Sequence, residues 1–297
     1  MGLPGGAPPA RGQFRFLIGG RTYDLSSRTH IMGILNVTPD SFSDGGRFTS
    51  VASAVDHALA MAEEGADFID IGGESTRPKG TAYGEGAEPV SVQEELDRVL
   101  PVVETLAGRT TVPLSVDTYK APVAERVLAA GASIVNDISG FTFDAAMAAT
   151  VARRGATAVV MHIRGTPKTM QDKPVYADLF GEIAASLGES VRRGREAGVA
   201  QMFVDPGIGF GKTAADNYRL IAGLSRFDAL GCPLLVGPSR KSFLASASSL
   251  GVQNRLEASL AAATAAALCG AHVIRVHDVR ETRRALQVAD AVRGAGQ

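Results

Sequence analysis

One arrangement recurs along the chain and constrains its fold more than any other feature: a segment with helical spacing, a glycine, then a short β-branched run ending in a polar residue. The glycines are Gly65, Gly108, Gly131, Gly155, Gly198, Gly231 and Gly270. Each stands where a helix would close, because glycine just past the last turn takes the left-handed conformation without a Cβ penalty. The runs after them cover residues 67–73, 112–118, 133–139, 157–163, 202–209, 233–239 and 272–277, and an opening run, His30–Leu35, makes eight. They are short and apolar, with polar flanks, as in strands covered on both faces.

Helical spacing fits Val51–Glu64, Ala121–Ala130, Leu179–Ala197, Ala214–Leu224, Asn254–Leu268 and Val279–Arg293. A further helix opens with Ser91 and Glu94 as a capping box and carries Val92, Leu96, Val99, Leu100 and Val103, with Pro101 predicting a kink. Eight strands alternating with helices predict the α/β class and a (β/α)8 TIM barrel, with a doubly wound open sheet as the alternative. Ahead of them, Phe14–Ile18 and Arg21–Leu25 flank Gly19 and Gly20 and read as a β-hairpin covering the barrel bottom. Residues 1–13 read as a disordered tail without the basic segment and apolar core of a signal peptide, leaving 14–297 as a single domain.

A formal net charge of -1 gives no basic surface for nucleic acid or a membrane, and no apolar run approaches the roughly 20 residues needed to span a bilayer. Cys232 and Cys269 are too few for a disulfide framework or a metal knuckle, which points to a reducing cytoplasm.

In a barrel, chemistry lies at the carboxyl ends of the strands. Those ends present Asn36, Glu74–Arg77, Asp117, Asn136, Met161 with His162, Asp205, Ser239–Lys241, and Arg275 with His277. Any one of them has a structural alternative: Asp117 as a helix cap, Asn136 as a loop anchor, Lys241 as a surface charge. Eight polar strand ends at one level point instead to a site. Arg275 and His277, two apart on one strand, share a face, and the seventh strand runs through SRKS into a helix start. The loops after strands seven and eight are the usual phosphate position, so a phosphorylated or pyrophosphorylated substrate is expected. Asp117, Asn136 and Asp205 offer acceptors and an amide, suited to a flat heterocycle with several N–H donors. Phe210, in GIGFGK, reads as a partner for an aromatic ring or as a lid or core plug. His30, His57, His162 and His272 read as structural or surface residues.

Eight strings in order, NVTPDSFSDGG (36–46), GGESTRP (72–78), SVDTYK (115–120), VNDISG (135–140), MHIRGTPKTMQ (161–171), DPGIGFGK (205–212), SRKSF (239–243) and RVHDV (275–279), resemble dihydropteroate synthases. The resemblance runs from about Thr29 to the C-terminus. It implies a (β/α)8 barrel, commonly homodimeric, that condenses 6-hydroxymethyl-7,8-dihydropterin pyrophosphate with 4-aminobenzoate, releasing pyrophosphate. It implies that Asp117, Asn136, Asp205 and Lys241 hold the pterin, with Arg275 stacking on its ring and helping to bind pyrophosphate. By the same resemblance Asn36 and His277 contact the pyrophosphate and Asn36 lies beside Mg2+. Phe42, Thr76, Pro78 and Ser242 surround 4-aminobenzoate, and Asp44 and Arg77 belong to mobile loops. Lys241, Arg275, His277 and Asp117 are the expected catalytic set, acting in an SN1-like substitution.

The chain departs from the family in carrying KGTAYGEG (79–86) between Pro78 and Ala87. Closure entropy grows slowly with loop length, so this reads either as a tolerated surface insertion or as altered closure over the 4-aminobenzoate pocket. Two rival readings are the pterin-binding barrel of corrinoid-dependent methyltransferases, which needs no pyrophosphate grip, and a non-catalytic pterin-binding homologue, which would have lost one of Asn36, Lys241, Arg275 or His277. The alanine-rich segment Asn254–Leu268 suits packing across a dimer or on the barrel.

Overall fold

The computed structural model describes residues 11–38, 51–76, 88–172, 174–248, 251 and 254–295. Strands β1 (Arg15–Ile18) and β2 (Arg21–Asp24) pair antiparallel. Gly19 and Gly20 both adopt positive φ, 56° and 77°, as a two-residue hairpin turn requires.

Eight parallel strands come next: β3 (His30–Asn36), β4 (Phe68–Gly72), β5 (Leu114–Asp117), β6 (Ile134–Asp137), β7 (Thr157–Met161), β8 (Met202–Asp205), β9 (Leu235–Val236) and β10 (Val273–Val276). They are hydrogen-bonded in the order β8-β7-β6-β5-β4-β3-β10-β9. Between β8 and the approach to β9, the Val204 N–H donates to the Pro233 carbonyl at 3.0 Å beside a parallel bridge to Leu234. That contact closes the barrel and rules out the open sheet.

The helices are α1 (Val51–Glu63), α2 (Val92–Ala107), α3 (Ala121–Ala129), α4 (Met147–Arg153), α5 (Leu179–Ala197), α6 (Ala214–Ala222), α7 (Ala245–Ser248), α8 (Leu256–Leu268) and α9 (Val279–Ala295). The sequence does not anticipate α4 (MAATVAR), which is seven residues long, too short and alanine-rich to show a polar face. Helix α2 runs on through Pro101 to Ala107. Its cap is half of the expected box: the Ser91 hydroxyl accepts the Glu94 N–H at 3.1 Å, but the Glu94 carboxylate turns forward to Arg98. Ser91→Ala is expected to cost about 1 kcal/mol, read as a lowered urea midpoint with unchanged slope. Of the seven glycines, Gly108 alone departs from the left-handed expectation, with φ -90°.

Strand parity sorts the core into two layers. On β4, Ile69 and Ile71 pack beneath the helices, whereas Phe68 faces the barrel interior. Phe68 joins Met32, Ile134, Val159, Phe203, Leu235 and Val273 inside the barrel, and Ile18, Tyr23 and Leu25, from the hairpin and the residue after it, plug that layer from below. The hairpin therefore covers the barrel bottom as expected, and the apolar plug leaves the opposite mouth to polar groups.

Candidate active site

At the mouth, Asn36, Gly72, Asp117 and Asn136 lie side by side on β3, β4, β5 and β6. A Cβ on Gly72 would stand 3.5 Å from Asn36 Oδ1 and 3.8 Å from Asp117 Cβ, ordinary contact distances, so the position lies directly between those two polar side chains.

Arg275, on β10, reaches across this row. Its Nε donates to Asp70 Oδ2 at 2.6 Å and its Nη2 to Asp117 Oδ2 at 2.9 Å. Asp70 is fully buried, and the same Oδ2 accepts from Asn136 Nδ2 at 2.9 Å. Burial weighs against the Arg275 charge, but Asp70 and Asp117 outweigh it and raise its pKa above the ordinary value. Burial also lifts the Asp117 carboxyl to about 7, although Arg275 pulls it down. With Nε and Nη2 committed to carboxylates, Nη1 is the part of the fork left for an anion.

A second group forms around Asp205, which is buried and whose Oδ1 accepts the Gly207 N–H at 2.7 Å. Burial raises its pKa, with Lys241 opposing. The Lys241 ammonium bonds the Ile208 carbonyl and lies 4.6 Å from the centre of the Phe210 ring. Burial lowers the Lys241 pKa to about 8, with Asp205 holding it up and Arg275 pushing it further down. The β8 loop is fastened by Lys212, a fully enclosed lysine that donates to the Phe210 carbonyl at 2.8 Å and lies 2.9 Å from His162 Nδ1. Burial holds its pKa well below the ordinary value. His162 is thus structural, as expected.

The third group is the SRKS turn. Arg240 has φ 56°, a left-handed conformation uncommon without glycine. The turn is fixed from both sides: Ser259 Oγ accepts the Arg240 N–H at 2.9 Å, Arg255 donates to the Arg240 carbonyl at 3.0 Å, and Asp278 takes the guanidinium at 3.1 and 2.5 Å. These contacts aim Lys241 into the site. Beyond Lys241 the chain turns helical, as a 3-10 turn, Ser242–Leu244, that runs into α7, in keeping with the helix start expected after SRKS. Ser239 Oγ accepts the His277 N–H at 3.3 Å and lies 3.1 Å from His277 Nδ1. Ser239 thus holds both the backbone and the imidazole of His277, the ring through Nδ1. Burial, with Arg240 and Arg275 nearby, lowers the His277 pKa to about 3, so the ring is neutral.

The described part of GGESTRP is anchored by Glu74, which takes the Tyr119 hydroxyl at 2.5 Å and pairs with Lys120; Lys120 also meets the buried Glu95 at 2.6 Å. Thr76 is half-buried at the end of that segment, and Ser242 comes directly after Lys241. Phe42, Asp44, Arg77, Pro78 and the insertion at 79–86 lie outside the described residues. Asp70 and Lys212 are additions to the sequence-derived set, whereas Glu74 and Arg240 stood among the polar strand ends without an assigned role. Asp70 was detectable as an acid at inward parity within an otherwise apolar strand.

A cavity of about 930 Å³ lies at the other end of the barrel, with Arg21, Arg28, His30, Asp67 and Arg109 in its wall. Arg28 is paired there with Asp67, and none of the polar strand ends reaches it. The chemistry belongs to the mouth.

A barrel with this mouth is that of a pterin-binding enzyme, and the family signature described as "Pterin binding enzyme" matches residues 32–277, so the chain belongs to that family. Among its relatives, the dihydropteroate synthase of Escherichia coli (strain K12) is 48% identical over 278 residues, which span 93% of this chain and 95% of the relative. The Yersinia pestis dihydropteroate synthase, solved in a sulfonamide drug complex, superposes with a TM-score of 0.88 at 46% identity, covering 95% of this chain and 100% of that one. The Xanthomonas albilineans dihydropteroate synthase, solved with 4-aminobenzoic acid, superposes at 0.85 with 44% identity, covering 95% and 98%. No helix among the described residues is long and apolar enough to cross a membrane.

Proposed function

We propose that the chain is a dihydropteroate synthase, condensing 6-hydroxymethyl-7,8-dihydropterin pyrophosphate with 4-aminobenzoate to give 7,8-dihydropteroate and pyrophosphate in folate synthesis. The observation that carries this reading is the meeting, at one mouth, of an acceptor-lined pocket (Asp117, Asn136, Asp205) with the cations Lys241 and Arg275. Residues 14–297 form its single pterin-binding domain, working in the cytoplasm as a homodimer.

The acceptors of Asp117, Asn136 and Asp205 take the N–H donors of the pterin edge, and the Arg275 plane lies against the ring. The Nη1 donors of Arg275, the His277 imidazole and the Lys241 ammonium face the pyrophosphate. Charge that builds on the leaving oxygen as the C–O bond breaks is stabilised by these groups, which need no reorganisation. The carbon left behind is cationic and is delocalised into the electron-rich dihydropterin ring. The weakly basic amine of 4-aminobenzoate then adds and loses its proton, so neither a covalent nucleophile nor a dedicated base is required. Phe42, Thr76, Pro78 and Ser242 hold 4-aminobenzoate, and the Phe210 ring belongs to the pterin side of the site.

Asn36 is the expected protein contact for Mg2+. It offers one neutral amide oxygen, and no cluster of three His, Cys, Asp or Glu side chains converges among the described residues. That donor set fits a hard ion coordinated mostly by phosphate oxygens and water. Bound beside Asn36, Mg2+ supplies charge neutralisation for the pyrophosphate.

Pyrophosphate release by the purified chain with Mg2+ tests the reading. Release that needs both substrates and yields dihydropteroate is the expected result. Tight binding of the pterin pyrophosphate without turnover would favour a non-catalytic pterin-binding protein, and methyl transfer from a reduced folate the methyltransferase-type barrel.

A further inference from the structure

Asp70 sits one layer below the mouth, between the apolar plug and the polar strand ends, at the same strand parity as Phe68 and Gly72. An ionised group at a fully buried position costs several kcal/mol unless donors surround it. Here the donors are two side chains of the candidate site: Arg275 Nε at 2.6 Å and Asn136 Nδ2 at 2.9 Å, both on Oδ2. Its other oxygen, Oδ1, is buried with no hydrogen-bond partner among the described residues.

This arrangement fixes more than position. An asparagine amide can present either its oxygen or its nitrogen to a ligand. With Nδ2 donating to a buried carboxylate, the opposite orientation would set Oδ1 against Oδ2, two acceptors with no proton between them. Asn136 must therefore turn its oxygen away from Asp70 and towards the pocket. Arg275 is constrained in the same way. Held by Asp70 through Nε and by Asp117 through Nη2, its plane is set by two carboxylates from neighbouring strands, and its Nη1 edge faces elsewhere.

We propose that Asp70 is a positioning residue that sets the hydrogen-bond polarity of the pocket, fixing Asn136 as an acceptor and Arg275 as an anion clamp. The chain thereby selects a heterocycle presenting a ring N–H at Asn136 over one presenting a ring acceptor there. The inference rests on the pterin reading of the site and adds to it a residue that need not touch the substrate. Lys212, Glu74 and Arg240 anchor loops; Asp70 orients donors and acceptors.

The test compares binding of 6-hydroxymethylpterin, followed by calorimetry, in the full chain and three variants. Asp70→Asn is expected to weaken binding about tenfold, since the amide side chain no longer dictates which way Asn136 turns. Asn136→Asp alone sets two carboxylates against each other and should weaken it more, by about a hundredfold. Combining the two exchanges restores one donor facing one acceptor: Nδ2 of the residue at 70 donates to the carboxylate at 136, whose second oxygen faces the ligand. That pair is expected to bind at least about tenfold more tightly than Asn136→Asp alone. A merely structural Asp70 would give losses that add. Binding by Asp70→Asn within about twofold of the native chain, or a swapped pair no better than Asn136→Asp, overturns the proposal. If Asp70→Asn alone does not fold, the comparison of the swapped pair with Asn136→Asp still decides. A folded native chain that fails to bind the pterin overturns the reading of the site itself, and the positioning role with it.

Discussion

Arg275→Ala is expected to lower pyrophosphate release by at least about a thousandfold and at the same time to weaken the fold by about 3–5 kcal/mol. The two losses share one cause. Arg275 is the common donor to Asp70 and Asp117, and truncating it leaves two enclosed carboxylates facing each other without a cation. Arg275→Lys should regain part of the stability, because an ammonium still neutralises one carboxylate, but little of the rate, because it cannot span both and still offer an edge to the leaving group. Lys241→Ala is the instructive contrast. Burial pulls the Lys241 pKa down to about 8, so its charge is disfavoured in the free fold. A depressed pKa contributes stability that is full above the ordinary lysine range and is lost as pH falls through about 8. At neutral pH the alanine variant should therefore be at least as stable as the native chain while losing about a hundredfold or more in rate. Steady-state release assays and urea midpoints on the three variants check this. Equal destabilisation by Arg275→Ala and Lys241→Ala would contradict the division between a cation that completes the fold and one spent on the substrate.

That division marks where the sequence stopped being readable. The barrel was legible because its signal is local and repeated: each parallel strand ends in a polar residue or runs into one shortly after its end, and most of the marker glycines take the left-handed turn their position demands. The polar strand ends were legible for the same reason. Partnership was not. Asp70 and Arg275 are 205 residues apart, and only barrel closure brings them within 2.6 Å. The twist in SRKS was equally hidden, because Arg240 takes a left-handed conformation with no glycine to announce it; its support comes from Ser259 and Arg255 on the α8 side and from Asp278 after β10. Local competition was misleading once, where Glu94 gave up its capping role to pair with Arg98 one turn on.

Asp117→Asn should separate stability from function where Arg275→Ala loses both. Burial lifts the Asp117 carboxyl to about 7, with Asp70, Glu95 and Asp137 adding to the rise and Arg275 only partly offsetting it. A carboxyl whose folded pKa exceeds its unfolded value favours the fold when protonated. Its contribution is complete below the ordinary carboxylate range near pH 4 and is lost as pH rises through about 7. Asparagine cannot ionise, so the variant escapes that loss. At about 1.4 kcal/mol per pH unit the difference is bounded near 4 kcal/mol, and weakening of the Arg275 hydrogen bond takes back about 1 kcal/mol. Asp117→Asn is therefore expected to be about 1–3 kcal/mol more stable than the native chain at pH 8 and no more stable at pH 4.5. Turnover should fall by about a hundredfold, because an amide can meet the pterin donors with its nitrogen where the carboxylate offered only acceptors. Urea midpoints at the two pH values, set beside release rates, supply the check. A variant less stable than the native chain at pH 8 would mean that the Arg275 pair, not burial, governs Asp117, and that the native carboxylate strengthens the fold it was retained to serve chemically.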